Sequence, residues 1–406
     1  MQSQNFWLFQ ILVFLVIFIC LPLPHGNIYP FAALIATCIY IAKKHQINYK
    51  KIDLLLIIFF GWGLLSAFWS VDLRLTTKIY TKVTLILLGG WLWFSNYSQL
   101  DLMVSERIQS LVLIAALLLA VSLLIFDIDL EFKGHLYQVI DQNISPALIH
   151  ACIACSLAIW MNLDKLPKWL QACILLGLTW ILQRASSDAA ALGVLLGSLT
   201  LVMHKYLQKF LRFMFIYGMP IVWGFMPFVF RMLTPENYHQ WSQNLDPSYT
   251  HRLFISNSVT NQIFQKFWTG FGFGSSRLQE FGIKAEEITI AVSNNQQILE
   301  APVHPHNFML QIWLELGAIG VILASLSWIM YWHRQYHKSD SYYIAFWASA
   351  LSVAVTSISI WQSWWLFLMV TLLPIYCKKT AKDHLYSSER DTQKSACANF
   401  RKLFMN

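Results

Sequence analysis

The chain has 406 residues, 57% of them hydrophobic and only 12% charged, and a formal charge of +8. Soluble globular domains carry about 25% charged residues, so the composition excludes an ordinary soluble enzyme. The cationic excess is spread between apolar runs, which points to membrane lipids as its partner and to no nucleic acid. The mean hydropathy of +0.50 agrees.

Runs of about 20 apolar residues, each long enough to cross a hydrocarbon core of about 30 Å, recur from end to end. The pattern predicts an all-α polytopic integral membrane protein with about 12 transmembrane helices. They fall near 6–24, 28–42, 52–70, 79–95, 107–126, 144–163, 168–183, 188–204, 213–230, 307–332, 341–358 and 361–377. The alternation of an outer-membrane barrel is not seen. The first run has neither a basic n-region nor a small-residue cleavage site, and reads as a retained helix. Cys152-x-x-Cys155 lies among alanines and isoleucines and reads as packing rather than a redox pair. No cysteine falls in 231–306, so no disulfide framework is implied.

Lys and Arg concentrate in alternate loops and in the tail after Cys377. The positive-inside rule then puts both termini in the cytoplasm. The expected organisation is nine spans in 1–230, a long periplasmic loop at 231–306, three spans in 307–377 and a cytoplasmic tail at 378–406. The expected location is a membrane crossed many times, with both termini on its cytoplasmic side.

Cations on the outer side need a reason. Arg74, Lys78 and Lys82 recur at i, i+4, i+8 and form one stripe on a helix. Arg184 ends the run at 168–183 and precedes Asp188. In the long loop, Ile255, Val259, Ile263 and Phe267 are spaced as on an amphipathic helix, which Arg252 opens. These cations suit phosphate groups; headgroup snorkelling, or an Arg184–Asp188 ion pair, is the plainer alternative. Next come Gly270, Gly272 and Gly274, whose alternation fits either a backbone anion nest or a flexible turn.

The loop ends at His304-Pro305-His306-Asn307, at the mouth of the 307–332 run. Histidine is the usual proton-transfer group near neutral pH, so His306 is the candidate base, with His304 beside it. Asn307, Gln311 and Glu315 follow at four-residue intervals below it. A carboxylate about two turns into a membrane helix usually lines a polar cavity. Structural pairing and catalytic support both remain open for Glu315.

Three other chemistries find less support. His304 and His306 with His239 or His251 could hold zinc, but no cysteine joins them and the spacing is not a helical pair. Asp127-x-Asp129 is a short D-x-D pair that helix-end solvation also explains. No P-loop and no G-x-S-x-G elbow occurs. No metal and no cofactor are expected.

At these residues the chain resembles the O-antigen ligase and polymerase family of bacterial envelope glycosyltransferases. His306-Asn307 with Gly317 and Gly320 is similar to the family's H-[NSQ]-x9-G-x-x-G signature. Arg252-Leu253 followed by Trp268-x-Gly270-x-Gly272-x-Gly274 is similar to its R-L and G-x-G-x-G run. Leu65-Ser66, Trp69-Ser70 and Asp72 match its motif after the third span, while Gln183-Arg184 departs from the usual Ser-Arg. The resemblance implies a fold related to the C-type glycosyltransferases and a metal-independent transfer. The implied donor is a glycan on undecaprenyl pyrophosphate, and the acceptor is lipid A-core or another glycan. His306 would be the base and Arg252 and Arg184 would stabilise the pyrophosphate. Arg74, Lys78, Lys82, His304, Asn307, Gln311, Glu315, Gly272 and Gly274 would line the substrate site. Ligase is the first expectation. A polymerase, a protein-directed transferase or a transporter of lipid-linked sugar or small anions are the alternatives.

Overall fold

The computed structural model describes residues 54–97, 109–122, 149–161, 163–185, 187–233, 247–278, 305–336, 340–373 and 376. Among these residues every regular element is helical. The expected spans at 6–24 and 28–42, the tail, Asp127, Asp129, His239 and His304 lie outside the described residues.

The elements in chain order are α1 (Leu54–Leu65), α2 (Leu73–Tyr97), α3 (Gln109–Ser122), α4 (Ile149–Ala158) and α5 (Lys168–Arg184). There follow α6 (Asp188–Tyr206), α7 (Gln208–Met232), α8 (Pro247–Ile263), α9 (Phe308–Gln335), α10 (Ser341–Thr356) and α11 (Ser363–Leu373). The apolar runs that fall within the described residues are helical there. By length and apolar composition, three of them (α6, α7 and α9) suffice to cross a membrane. That is the extent to which the structure reaches the 12-span expectation.

α6 packs on α10 by bringing small residues into contact, as helices without a hydrophobic driving force do. A Cβ on Gly197 would lie 2.3 Å from the Trp160 ring and 2.6 Å from Ser349 Oγ. Ser349 Oγ donates to the Gly193 carbonyl (2.7 Å) and accepts from Trp160 Nε1 (2.9 Å), so this buried hydroxyl is satisfied.

α8 is the helix expected from the four-residue spacing, starting at Pro247 rather than His251. Its apolar face, Ile255, Val259 and Ile263, is buried against α7 and α9 rather than laid on a surface. Asn257 Nδ2 donates to the carbonyls of Phe230 and Leu233, both at 2.9 Å, and so satisfies the end of α7.

α9 is not continuous. Gly317 has φ 65° and ψ −167° inside it. The break frees backbone groups that an apolar setting cannot leave unpaired. The segment after α8 supplies their partners. Phe271 and Gly272 donate their N–H groups to the carbonyls of Leu314 and Glu315, both at 2.9 Å. Ala318 and Ile319 donate to the carbonyls of Phe267 and Trp268, and Trp62 Nε1 donates to that of Leu316. The approach is backbone to backbone: a Cβ on Gly317 would lie 2.4 Å from the Trp268 carbonyl, and one on Gly270 2.5 Å from that of Glu315.

Candidate active site

The site is built where four segments meet: the loop 267–278, the entry to α9, the N-terminal part of α2 and the connector 357–362 between α10 and α11.

Glu315 holds them together. It is fully buried. Its Oε2 accepts from Gly274 N–H (2.7 Å) and Trp361 Nε1 (2.6 Å). Its Oε1 is bonded to Ser276 Oγ (2.5 Å) and Gln311 Nε2 (2.9 Å). Backbone, indole and amide N–H groups can only donate, so they need an acceptor on both oxygens. Of the alternating glycines only Gly274 faces this carboxyl group; Gly270 N–H goes to the Lys266 carbonyl. Gly274 N–H goes to the carboxylate and Gly272 N–H to the Glu315 carbonyl. Gln311 also accepts from Ile360 N–H at 3.0 Å, extending the network into the connector.

His306 stands at the edge of this network, half-buried, with φ 49°. Its Nδ1 lies 3.0 Å from the Ser357 carbonyl oxygen. A carbonyl only accepts, so Nδ1 carries the proton and Nε2 presents the lone pair. Asn307 is the N-cap of α9: its Oδ1 accepts from Met309 N–H (2.9 Å) and Leu310 N–H (3.3 Å). The cap fixes the helix start and with it the residue just before.

Arg277 is a member of the site that sequence reasoning missed. It closes the 3₁₀ turn Ser275–Arg277, is half-buried, and donates from Nη2 to the Trp361 carbonyl at 3.5 Å. Burial pushes its guanidinium below the ordinary value, and the charge of Glu315 opposes that shift; arginine stays cationic under such changes. The connector thus holds His306 through Ser357 and Arg277 through Trp361. No local pattern marked Ser357, Trp361 or Arg277. The one cue was a cation three residues beyond the last glycine of the run.

Of the other expected residues, Arg74, Lys78 and Lys82 lie exposed along α2. The buried face beside them carries Thr76 and Ile79, which dock the glycine loop: Thr76 Oγ1 donates to the Phe273 carbonyl (2.8 Å) and Ile79 fills the space at Gly274. Arg252 is half-buried on α8, and Arg184 is exposed at the end of α5. The structure therefore brings Gln311, Glu315 and Gly274 into one network, ties His306 to the same connector through Ser357, and places the α2 stripe beside the glycine loop. Arg252 and Arg184 come from two further helices. A second imidazole, His150 of α4, stacks on Trp364 at the start of α11, with centroids 4.0 Å apart.

Residues 147–325, which run from the start of α4 into α9 past its break, match the family described as O-antigen ligase. Over these residues the chain is similar to the O-antigen ligase family. It is 26% identical over 325 residues to a protein of Rickettsia conorii named "Putative polysaccharide ligase", covering 76% of this chain and 75% of that one. Proteins of the same description from Rickettsia bellii and Rickettsia typhi are 25% and 24% identical. The first match covers 76% of each chain and the second 78% of each. No solved structure matches.

Proposed function

We propose that the chain transfers a glycan from undecaprenyl pyrophosphate to a sugar hydroxyl of lipid A-core, at the periplasmic face of a bacterial inner membrane. The observation that carries the reading is the His306 Nδ1 contact to Ser357, which leaves Nε2 as the acceptor nitrogen beside a cationic rim. The names of the relatives favour ligation over polymerisation.

The acceptor hydroxyl gives its proton to His306 Nε2 as its oxygen attacks the anomeric carbon. The bond from that carbon to the diphosphate oxygen breaks, and the diphosphate leaves with the electron pair. Negative charge grows on the leaving group, where fixed cations stabilise the transition state most. Arg252, with its planar fork, and Arg184 are the proposed partners of that charge. The α2 stripe gathers the anionic donor at the membrane surface. Glu315 and Gln311 position the loop and the connector, and Asn307 positions the base. No metal is assigned a role, because side-chain cations already supply the positive charge the leaving group needs.

The test is a deletion of the gene, read on an envelope glycolipid gel. Lost polymer on lipid A, with lipid-linked donor still present, supports the ligase. Single-repeat caps on lipid A would make the protein a polymerase.

A further inference from the structure

We propose that Arg277, with Lys82 and Lys78, forms a diphosphate-binding clamp for the lipid-linked donor, a role that rests on the transfer reading above.

Three observations place it. The first is rigidity. The turn carrying Arg277 is pinned on both sides, since Gly274 N–H and Ser276 Oγ both bind Glu315. Its start is fixed to α2 by Thr76 Oγ1 on the Phe273 carbonyl. A preorganised cation loses less on binding than a free one.

The second is proximity of like charge. The positive charges of Arg277 and Lys78 both act on Lys82. Lys82 is one turn beyond Ile79, against which Gly274 packs, so the loop sets Arg277 against the stripe. Like charges held together beside an apolar wall repel one another, and a multivalent anion turns that repulsion into attraction.

The third is the contrast with the neighbouring cations. Arg231 lies over the Phe264 ring (4.3 Å) and Lys266 over that of Phe271 (4.9 Å), so both have an aromatic partner. Among the described residues, Arg277 instead has a single carbonyl contact at 3.5 Å, from Nη2 to Trp361. Glu315, the acid that acts on it, is already engaged by four other groups. A guanidinium has five donors, so capacity remains for two phosphate oxygens. Both anchors, Ser357 to His306 and Trp361 to Arg277, lie within five residues of the same connector, which joins the clamp to the base.

The full chain in nanodiscs is titrated with a short-chain polyprenyl diphosphate, with the corresponding monophosphate and, in separate discs, against phosphatidylglycerol. The variants are Arg277→Gln and Arg277→Lys. Arg277→Gln should weaken diphosphate binding at least tenfold, weaken the monophosphate less, and leave phosphatidylglycerol retention and thermal midpoint unchanged. Combined with Lys82→Gln, the loss should be less than the product of the two single losses, because the two cations share one ligand. Wild-type diphosphate binding in folded Arg277→Gln overturns the proposal. So does an equal loss for all three probes, which would mark Arg277 as a general headgroup contact. Should Arg277→Gln unfold, Arg277→Lys decides. It keeps the charge without the fork and should bind diphosphate several-fold more weakly; unchanged binding there overturns the clamp. Diphosphate binding by a wild-type protein that transfers no glycan would end the transfer reading and leave the clamp. Transfer by Arg277→Gln with unchanged donor KM would do the reverse.

Discussion

His306 Nδ1 and the Ser357 carbonyl oxygen are 3.0 Å apart, across 51 residues of sequence. The contact fixes both the ring plane and the tautomer of the proposed base. It also ties the entry of α9 to the connector that leads from α10 to α11.

The first prediction concerns this residue. His306→Ala should lower transfer by at least about a hundredfold, the usual scale of general-base loss, while membrane insertion stays normal. His306→Gly gives a cleaner separation. The native φ of 49° is strained for a side chain and free for glycine, a relief of about 1 kcal/mol. Loss of the Nδ1 hydrogen bond costs about the same. The glycine variant should therefore keep the wild-type thermal midpoint and lose activity. Single-turnover transfer and thermal unfolding in detergent check both, and retained turnover would remove His306 from the mechanism.

Glu315 should act on stability before chemistry. Glu315→Gln keeps the volume but turns one acceptor into a donor, which the Ser276 hydroxyl can accept but the Gln311 N–H, the Gly274 N–H and the Trp361 N–H cannot. Leaving such a group unsatisfied costs about 1–3 kcal/mol. Glu315→Ala strips the partner from all four groups and should cost more. Both should lower the thermal midpoint, with the order Ala below Gln below wild type. An alanine variant as stable as wild type would mean that the network does not hold the loop.

Gly317→Ala should be among the most damaging single-methyl changes in the chain. The new Cβ meets the Trp268 backbone at 2.4 Å, and φ of 65° disfavours any side chain. Gly224→Ala, where nothing lies within 4 Å, is the control and should be neutral. Comparing the monodisperse yield of the two on gel filtration tests whether the helix break is required.

Arg252→Lys retains the charge and loses the bidentate fork, so it should still impair transfer strongly, as should Arg184→Ala. Substitutions in the stripe Arg74, Lys78, Lys82 should have a milder effect that shrinks as salt is raised, because exposed charges are screened. Initial rates against donor concentration at low and high salt separate the two. Wild-type kinetics in both arginine variants would sink the proposed stabilisation of the leaving group.

Transfer should survive EDTA, since the proposed charge on the leaving group is met by side chains. A His ligating a metal through its lone pair could not take up a proton with it. Asp127→Asn should retain nearly full activity. If chelation stops the purified enzyme and magnesium or manganese restores it, the D-x-D reading takes the place of the cationic one.

Helix positions were legible from the sequence alone. Hydrophobic runs and the four-residue spacing of α8 are local patterns, and local hydrogen bonding turns them into helices. His306, Asn307 and the glycines also drew attention by themselves, being residue types with marked chemistry. What their atoms do was settled by tertiary structure. Asn307 caps α9 and Gly272 pairs with a helix carbonyl. Gly274 meets a carboxylate 41 residues away, and Trp361 reaches the same carboxylate across 46. Arg277 drew no notice in the sequence because its place depends on a turn pinned by those contacts. Local patterns decide which backbone groups pair within a helix. Only the packed chain decides where the groups freed by a broken helix find their partners, and here that pairing assembled the site.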